Sequence, residues 1–378
     1  MRVLCNMKNV AKSFITLILF CMIIGCTSAG EDSLDSKGTQ IPACVNPAIE
    51  LISTIHYLAR TGQYDEMLLP GYMQRVEDHF GRSRVHSAVR LAKEMNRLND
   101  INGSAPMALA VYLGPPPLLE PINDLSSPPG DLDPRWTPKL IDDFLEEARK
   151  FAKETNFMDF FTSQKDFHAM AVENLKKTLK KENILPWFND FFGTSPKNYK
   201  MYIGLINGSC NYGFSVTHQN GEQDFISLLG ARWPDKKGVP RYPKEWFMPV
   251  VIHEYCHSYI NPLINNNPGD LKELGEALFV YHREKMIKHG YNTWNVLLFE
   301  YIVRACTIRY LLVKKGKKTA LQMIAYDEKV GFPAIKGLVE LFDTYESNRT
   351  KYPNIESFMP DIKKYFESCL IEMKMRKT

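Results

Sequence analysis

The sequence predicts an α+β fold that is predominantly α-helical, with a small mixed β-sheet packed on one long helix. Three observations predict this class. Much of the first half carries apolar residues at a spacing of three to four, which is typical of amphipathic helices. Three short strand-like segments follow residue 198, and an almost wholly apolar helix follows these strands. We therefore expect a mostly helical N-terminal region over 41–195 and a second domain over 196–378.

The N-terminus predicts an exported chain with a lipid anchor. Basic residues precede an uncharged apolar run over 13–25, which is short for a membrane span and typical of a signal peptide over 1–25. Cys26 follows directly and matches the lipidation site of bacterial lipoproteins, although an ordinary signal peptide with a nearby cleavage point is the alternative. Residues 26–40 are small and polar and predict a flexible tether. We expect a bacterial envelope protein, lipid-anchored to the outer membrane on its periplasmic or surface-exposed face.

Composition excludes several other classes of protein. The formal charge of +4 includes three basic residues of the signal region, so 44 basic residues remain against 43 acidic ones. Such a balanced chain has no electrostatic footprint for nucleic acid. Five cysteines follow Cys26 without any short paired spacing, which argues against a disulfide scaffold and against a cysteine-based metal site.

The periodicity gives the order of the elements. Helices are predicted over 47–60, 71–98, 137–153 and 166–181. Two proline clusters within 114–136 exclude regular structure and predict a long ordered loop, which we expect to lie near a substrate cleft.

The strand candidates come next in the chain. They are 199–206, 212–216 and 224–229, with turn signals at Asn207-Gly208 and Asn220-Gly221. An edge strand of this sheet could bind an extended peptide by backbone pairing, or a loop could cover it.

The most informative motif is His253-Glu254-x-x-His257, which follows an apolar run. Residues four apart share one face of a helix, so both histidines can reach one metal ion while Glu254 lies beside them. This spacing is typical of zinc peptidases. The alternative is a pair of core histidines with an exposed glutamate. The motif helix is expected to end at Asn261-Pro262.

Two glutamates compete for the place of a third ligand. Glu276 lies opposite the apolar face of its predicted helix, which is an ordinary solvated position. Glu300 lies in a helix that is apolar nearly all the way round, and a buried carboxylate needs a partner. Arg304 lies one turn further along and could orient Glu300. We therefore prefer Glu300, and a metal-free Glu300–Arg304 ion pair is the alternative.

Several segments resemble a known family. Residues 253–262, Tyr291 with Trp294, and 300–305 are similar to an uncharacterised family of bacterial, often lipid-anchored proteins in the zinc metallopeptidase clan. Residues 207–213 fit the same pattern. The resemblance implies a zincin-like fold of the gluzincin type, with one Zn²⁺ held by His253, His257 and Glu300.

These roles predict a hydrolase that acts on a peptide or protein, with Glu254 as general base. A further donor must stabilise the oxyanion, and the sequence leaves four candidates open: Tyr212, His218, Tyr301 and Tyr310. Two other functions also stay open. One is a catalytically silent zincin-fold lipoprotein that binds peptide or glycan, and the other is a metal-independent helical lipoprotein.

Overall fold

The N-terminal part of the chain is built from helices, as its periodicity predicts. The computed structural model describes residues 41–180 and 182–375, so the predicted signal peptide, the tether and Cys26 lie outside the described residues. Contacts divide the chain after Gly38, and the described residues all belong to the second unit. Its first helices are α1 (Pro47–Ala59), α2 (Pro70–Phe80), α3 (Ser87–Asn99), α4 (Ala105–Ala110), α5 (Pro138–Glu154), α6 (Phe157–Ser163), α7 (Lys165–Leu179) and α8 (Leu185–Phe192).

Local chemistry explains where these helices begin and end. The Asn46 side chain accepts hydrogen bonds from the first turn of α1, and Pro47 occupies the first helical position. The predicted helix over 71–98 was wrong in one respect, because α2 ends at Phe80 and a short 3₁₀ segment separates it from α3. His86 adopts an extended backbone and its ring nitrogen accepts from Ala88 N at 3.0 Å, so a new helix starts there.

The proline-rich stretch over 114–136 contains no helix and no strand, as predicted, apart from one isolated bridge at Pro121. Side chains hold this loop in place. Asp131 accepts the backbone N–H of Thr217 at 2.9 Å, and the Trp136 indole donates to Ala105 O at 2.7 Å. The loop is therefore fixed to strand residues and to α4.

The sheet contains the three predicted strands and one that the sequence did not reveal. These are β1 (Ala43–Cys44), β2 (Asn198–Gly204), β3 (Tyr212–Thr217) and β4 (Gln223–Gly230). The strand order is β1-β2-β4-β3. β3 and β4 form an antiparallel hairpin around Asn220-Gly221, whereas β2 pairs with both β1 and β4 in parallel. The sheet is therefore mixed, as expected, and β3 is an edge strand.

The motif helix, α9 (Lys244–Asn265), packs on β3 and β4. Gly213 in β3 makes the closest approach, since a Cβ on that residue would lie 1.7 Å from the carbonyl oxygen of Glu254. The expected helix end at Asn261-Pro262 was wrong. Proline removes only one backbone hydrogen bond, and Asn266 N donates to Pro262 O at 2.9 Å to close a further turn.

The remaining helices lie C-terminal to α9, and two of them pack directly against it. They are α10 (Pro268–Lys288), α11 (Trp294–Lys315), α12 (Lys317–Val330), α13 (Ile335–Ser347) and α14 (Met359–Met375). α11 is buried along almost its whole length between α9, α10, α12 and α13, as its composition predicts. The fold is α+β and predominantly helical. Within the described ranges no helix is long and apolar enough to cross a membrane.

Candidate metal centre

Three side chains converge between α9 and α11. The Nε2 atoms of His253 and His257 lie 3.1 Å apart. Glu300 reaches His253 Nε2 with one carboxylate oxygen at 3.7 Å and His257 Nε2 with the other at 3.4 Å. Among the residues that the structure describes, these three form the group of side chains that could hold a metal ion.

The donor atoms fit a single zinc ion. Zinc binds imidazole nitrogen and carboxylate oxygen at about 2.0–2.2 Å in a tetrahedral arrangement, which separates the donor atoms by about 3.4 Å. The three observed separations, 3.1, 3.4 and 3.7 Å, bracket this value. The histidine side chains keep 19% and 12% of their surface exposed, whereas Glu300 keeps 7%. The site is therefore closed on the α11 side and open to solvent beside the histidines.

A second layer of hydrogen bonds orients two of the ligands. Asn261 Oδ1 lies 3.0 Å from His257 Nδ1, so Nδ1 can carry the proton and leave the Nε2 lone pair free for a metal. Arg304 Nε donates to Glu300 at 3.0 Å. The sequence predicted Arg304 but not Asn261, which it had assigned only to the end of the helix.

Arg304 is itself held by two groups that the sequence did not connect with the site. Its Nη1 donates to Asp327 of α12 at 2.7 Å, and its Nη2 donates to the hydroxyl of Tyr291 at 3.1 Å. Asp327 is 1% exposed. From the sequence, Tyr291 was named only as one of the residues that carry the family resemblance. The guanidinium is therefore shared between two carboxylates and has little freedom to leave Glu300.

Burial and charge set the protonation of the cluster. Burial lowers the pKa of His253 to about 4. Burial also acts to lower the pKa of His257, but its hydrogen bond to Glu300 and the charges of Glu300 and Glu254 outweigh burial and raise that pKa. Burial opposes ionisation of Glu300, yet the charges of Arg304 and His253 hold its pKa well below the usual range. Glu300 is therefore an anion, as a metal ligand must be.

Glu254 lies beside the ligands in a dry position. It is 6% exposed, and burial raises its pKa to about 8. Within the described ranges no side chain or backbone group forms a hydrogen bond with its carboxyl group. A carboxyl group without a fixed partner is free to exchange a proton with a molecule bound in the site.

The competing glutamate lies elsewhere. Glu276 is on α10 with 55% of its side chain exposed, and its nearest opposite charge is Lys272 at 4.0 Å. Helical phase predicted this solvated position, and Glu276 does not join the cluster.

The four oxyanion candidates have different surroundings. Tyr212 precedes Gly213, and burial raises its pKa well above the usual range, with Glu254 among the charges that add to the shift. His218 lies at the far end of β3 and pairs with Asp224 at 2.8 Å. The Tyr301 hydroxyl lies 3.4 Å from the buried His282.

The fourth candidate, Tyr310, packs edge-on against Trp187. Tyr212 is thus the candidate that has Glu254 among the charges around it, while the other three are engaged elsewhere. Its hydroxyl accepts a hydrogen bond from Gln63 Nε2 at 2.8 Å and also forms a hydrogen bond with the Cys210 side chain.

Comparison with known proteins gives one match. No curated protein and no solved structure is similar to this chain at a significant level. A family model described as a domain of unknown function (DUF4932) matches residues 43–365, which include both helices of the candidate metal centre. The chain therefore belongs to the family of proteins that carry this domain.

Proposed function

We propose that this protein is a zinc-dependent peptidase of the gluzincin-like type within the zinc metallopeptidase clan, anchored to the bacterial envelope by a lipid on Cys26. One observation carries the catalytic part of the proposal. His253, His257 and Glu300 present three donor atoms at the spacing of a tetrahedral zinc site, and Glu254 lies beside them. A buried Glu300–Arg304 ion pair would explain those two residues, but it does not require two imidazole nitrogens beside the same carboxylate.

The chemistry follows from the position of each residue. A zinc ion held by His253, His257 and Glu300 would acidify water and polarise a carbonyl group. Glu254 accepts the proton of the attacking water and later donates it to the leaving amine. Burial raises the pKa of Glu254, which makes its carboxylate a stronger base toward the proton of the water. Tyr212 donates its hydroxyl proton toward the developing oxyanion.

The sheet supports a peptide as the substrate. His218 N donates to Glu222 O across the hairpin, and pairs alternate along an antiparallel ladder, so the backbone groups of Gly213, Ser215 and Thr217 point away from β4. Gly213 lies against Glu254. An extended peptide that pairs with Gly213 and Ser215 would therefore lie beside the turn of α9 that carries Glu254.

Zinc analysis tests the ligand set first. We would measure zinc by elemental analysis in the chain from residue 41 onward, for wild type, Glu300→Gln and the matched control Glu276→Gln. We expect one zinc per chain in wild type and in Glu276→Gln, and a loss in Glu300→Gln. A wild-type protein that takes up no zinc after incubation with the metal would refute the proposal.

Hydrolysis tests the reaction separately. The zinc-loaded wild type should cleave members of a random peptide library, and Glu254→Gln should bind zinc normally but lose about 10³-fold or more of the rate, since general base catalysis is removed. A protein that holds zinc but cleaves no peptide would instead be a catalytically silent binding protein with the same fold. The lipid anchor is tested by labelling with radioactive palmitate in a bacterial host, which Cys26→Ala should abolish.

A further inference from the structure

A second feature lies at the other end of β3. A cavity of about 550 Å³ opens between the loop over 114–136, the β3–β4 hairpin and the last turns of α9. Its walls include Asp124 and Asp131 from the loop, His218 from the hairpin, and Pro262 from α9. The volume lies within the range of about 300–1,000 Å³ that is usual for ligand sites.

The cavity carries negative charge without a matching cation. Asp124 and Asp131 line it, and among the described residues no lysine or arginine does. In this part of the chain Asp131 accepts hydrogen bonds from neutral donors, namely the Tyr112 hydroxyl and the N–H and hydroxyl of Thr217. His218 is held by Asp224, which also pairs with Lys200 at 2.6 Å. A ligand with a positive charge would therefore be favoured here.

The cavity wall also contains an unused acceptor. Asn123 is 9% exposed, and its amide nitrogen donates to Thr217 O. Its Oδ1 is enclosed and has no hydrogen-bond partner among the residues that the structure describes. A buried polar atom of this kind is costly without a partner, and a donor that reached it through a small opening of the wall would remove that cost. A guanidinium or ammonium group supplies several donors together with the missing charge.

The cavity lies on the same strand edge as the metal centre. Along α9, Glu254 lies against Gly213, Ser258 Oγ donates to Phe214 O at 2.8 Å, and Pro262 shares the cavity wall with Thr217. Thr217 lies four positions after Gly213, which is about 13 Å along a strand.

The free edge of β3 ends at the cavity. Asp131 and Asn123 already bind the N–H and C=O of Thr217. A peptide paired with this edge must therefore leave it where the cavity opens.

We propose that this cavity is a specificity pocket for the cationic side chain, arginine or lysine, of an extended peptide, about four residues from the bond that is cleaved. The inference rests on the proposed function, because the position of the cationic residue is counted from the bond next to Glu254. A bound metal ion does not explain the cavity as well. Only two carboxylates line it, and no cluster of three ligands includes them within the described residues.

Paired peptides test the pocket. The full-length protein, purified in detergent and loaded with zinc, would first be given a random decapeptide library, and mass spectrometry of the products would identify the cleaved bonds. We expect arginine or lysine to be enriched at one position about four residues from the cut. Synthetic substrates would then carry arginine or its neutral analogue citrulline there, and lysine or norleucine. We expect the charged member to react about five to ten times faster, as for one partly exposed charge pair.

Two variants that each remove one negative charge localise the effect. Asp124→Asn should abolish the preference for arginine over citrulline. Glu276→Gln, which removes an exposed carboxylate on α10, should keep the preference. Asp131→Asn is a poorer test because Asp131 also holds Thr217 in place.

Binding to the Glu254→Gln protein separates this inference from the proposed function. Fluorescence anisotropy would compare the same arginine and citrulline peptides, each carrying a fluorescein label. If the wild type cleaves both peptides at the same rate, the specificity pocket is refuted and the proposed peptidase activity still stands. If the arginine peptide binds more tightly, this preference is lost in Asp124→Asn, and no peptide is cleaved, the specificity pocket is supported and the peptidase activity is refuted.

Discussion

Replacing Gly213 by alanine tests the contact that joins the sheet to the motif helix. The new Cβ would lie 1.7 Å from the carbonyl oxygen of Glu254 and 2.9 Å from the Cβ of His257. Ordinary contacts between such atoms require about 3.4 Å, so β3 must move away from α9 by about 1.5 Å or more. Both atoms belong to the motif helix, so neither can yield as a flexible side chain would.

The cost can be worked from the contacts that this shift breaks. The hydrogen bond from Ser258 Oγ to Phe214 O, now 2.8 Å, would lengthen beyond bonding distance and cost about 1 kcal/mol. Overpacking in a well-packed interior costs about 1–3 kcal/mol more. We expect the free energy of unfolding to fall by about 2–4 kcal/mol, and Tm to fall by about 3–6 °C.

Thermal unfolding followed by circular dichroism measures this effect, with Gly71→Ala as the matched control. Gly71 lies in α2, and a Cβ there meets nothing within 4 Å. The same substitution at Gly71 should therefore stabilise the protein by about 0.5–1 kcal/mol, because alanine restricts the unfolded chain. If Gly213→Ala unfolds at the wild-type temperature, β3 does not pack closely on α9. The edge of β3 would then lie elsewhere relative to Glu254.

Three further outcomes are expected. Asp327→Asn should weaken zinc binding by about tenfold or more in a competition titration with a chromophoric chelator, because Arg304 would then compete for the ligand carboxylate; unchanged affinity would contradict this role. Asn261→Ala should weaken zinc binding to a similar degree, since it frees the ring of His257 to rotate, and Asn261→Asp should restore it. Burial raises the pKa of Glu50 to about 8, above its unfolded value, so its contribution to stability is complete below about pH 4.5 and is lost as pH rises through 8. Glu50→Gln should therefore flatten the decline of Tm between pH 5 and pH 8, and an unaltered slope would refute the shift.

The sequence identifies the parts of this site that depend on local spacing. Two histidines four apart in an apolar helix must share a face, and a carboxylate in an all-apolar helix must find a partner. The sequence alone therefore assigns His253, His257 and Glu300 to one site. Asp327 could not be assigned to it, because its pairing with Arg304 joins two helices whose relative position no periodicity encodes.

The sheet shows the same limit. β2, β3 and β4 were predictable because each is a short run rich in apolar residues between turn residues. β1 has only two residues, Ala43–Cys44, which is too short to produce any pattern. The parallel pairing of β2 with β4 also leaves no trace in the turn at Asn207-Gly208, since that turn joins strands that are not neighbours. Local sequence therefore gives the strands but not their order.

A metal ion held by the three donor atoms would link the stability of the fold to the supply of metal, because these atoms lie on two helices. Glu300 lies on α11, and the histidines lie on α9, so one ion would close the loop of chain between residues 257 and 300. An ion that binds only the folded protein adds about 2.7 kcal/mol of stability when its free concentration is 100 times Kd. In an environment where zinc is sequestered, this protein would lose the stabilisation before it met any substrate. Metal scarcity would then act on how much folded protein persists as well as on its activity.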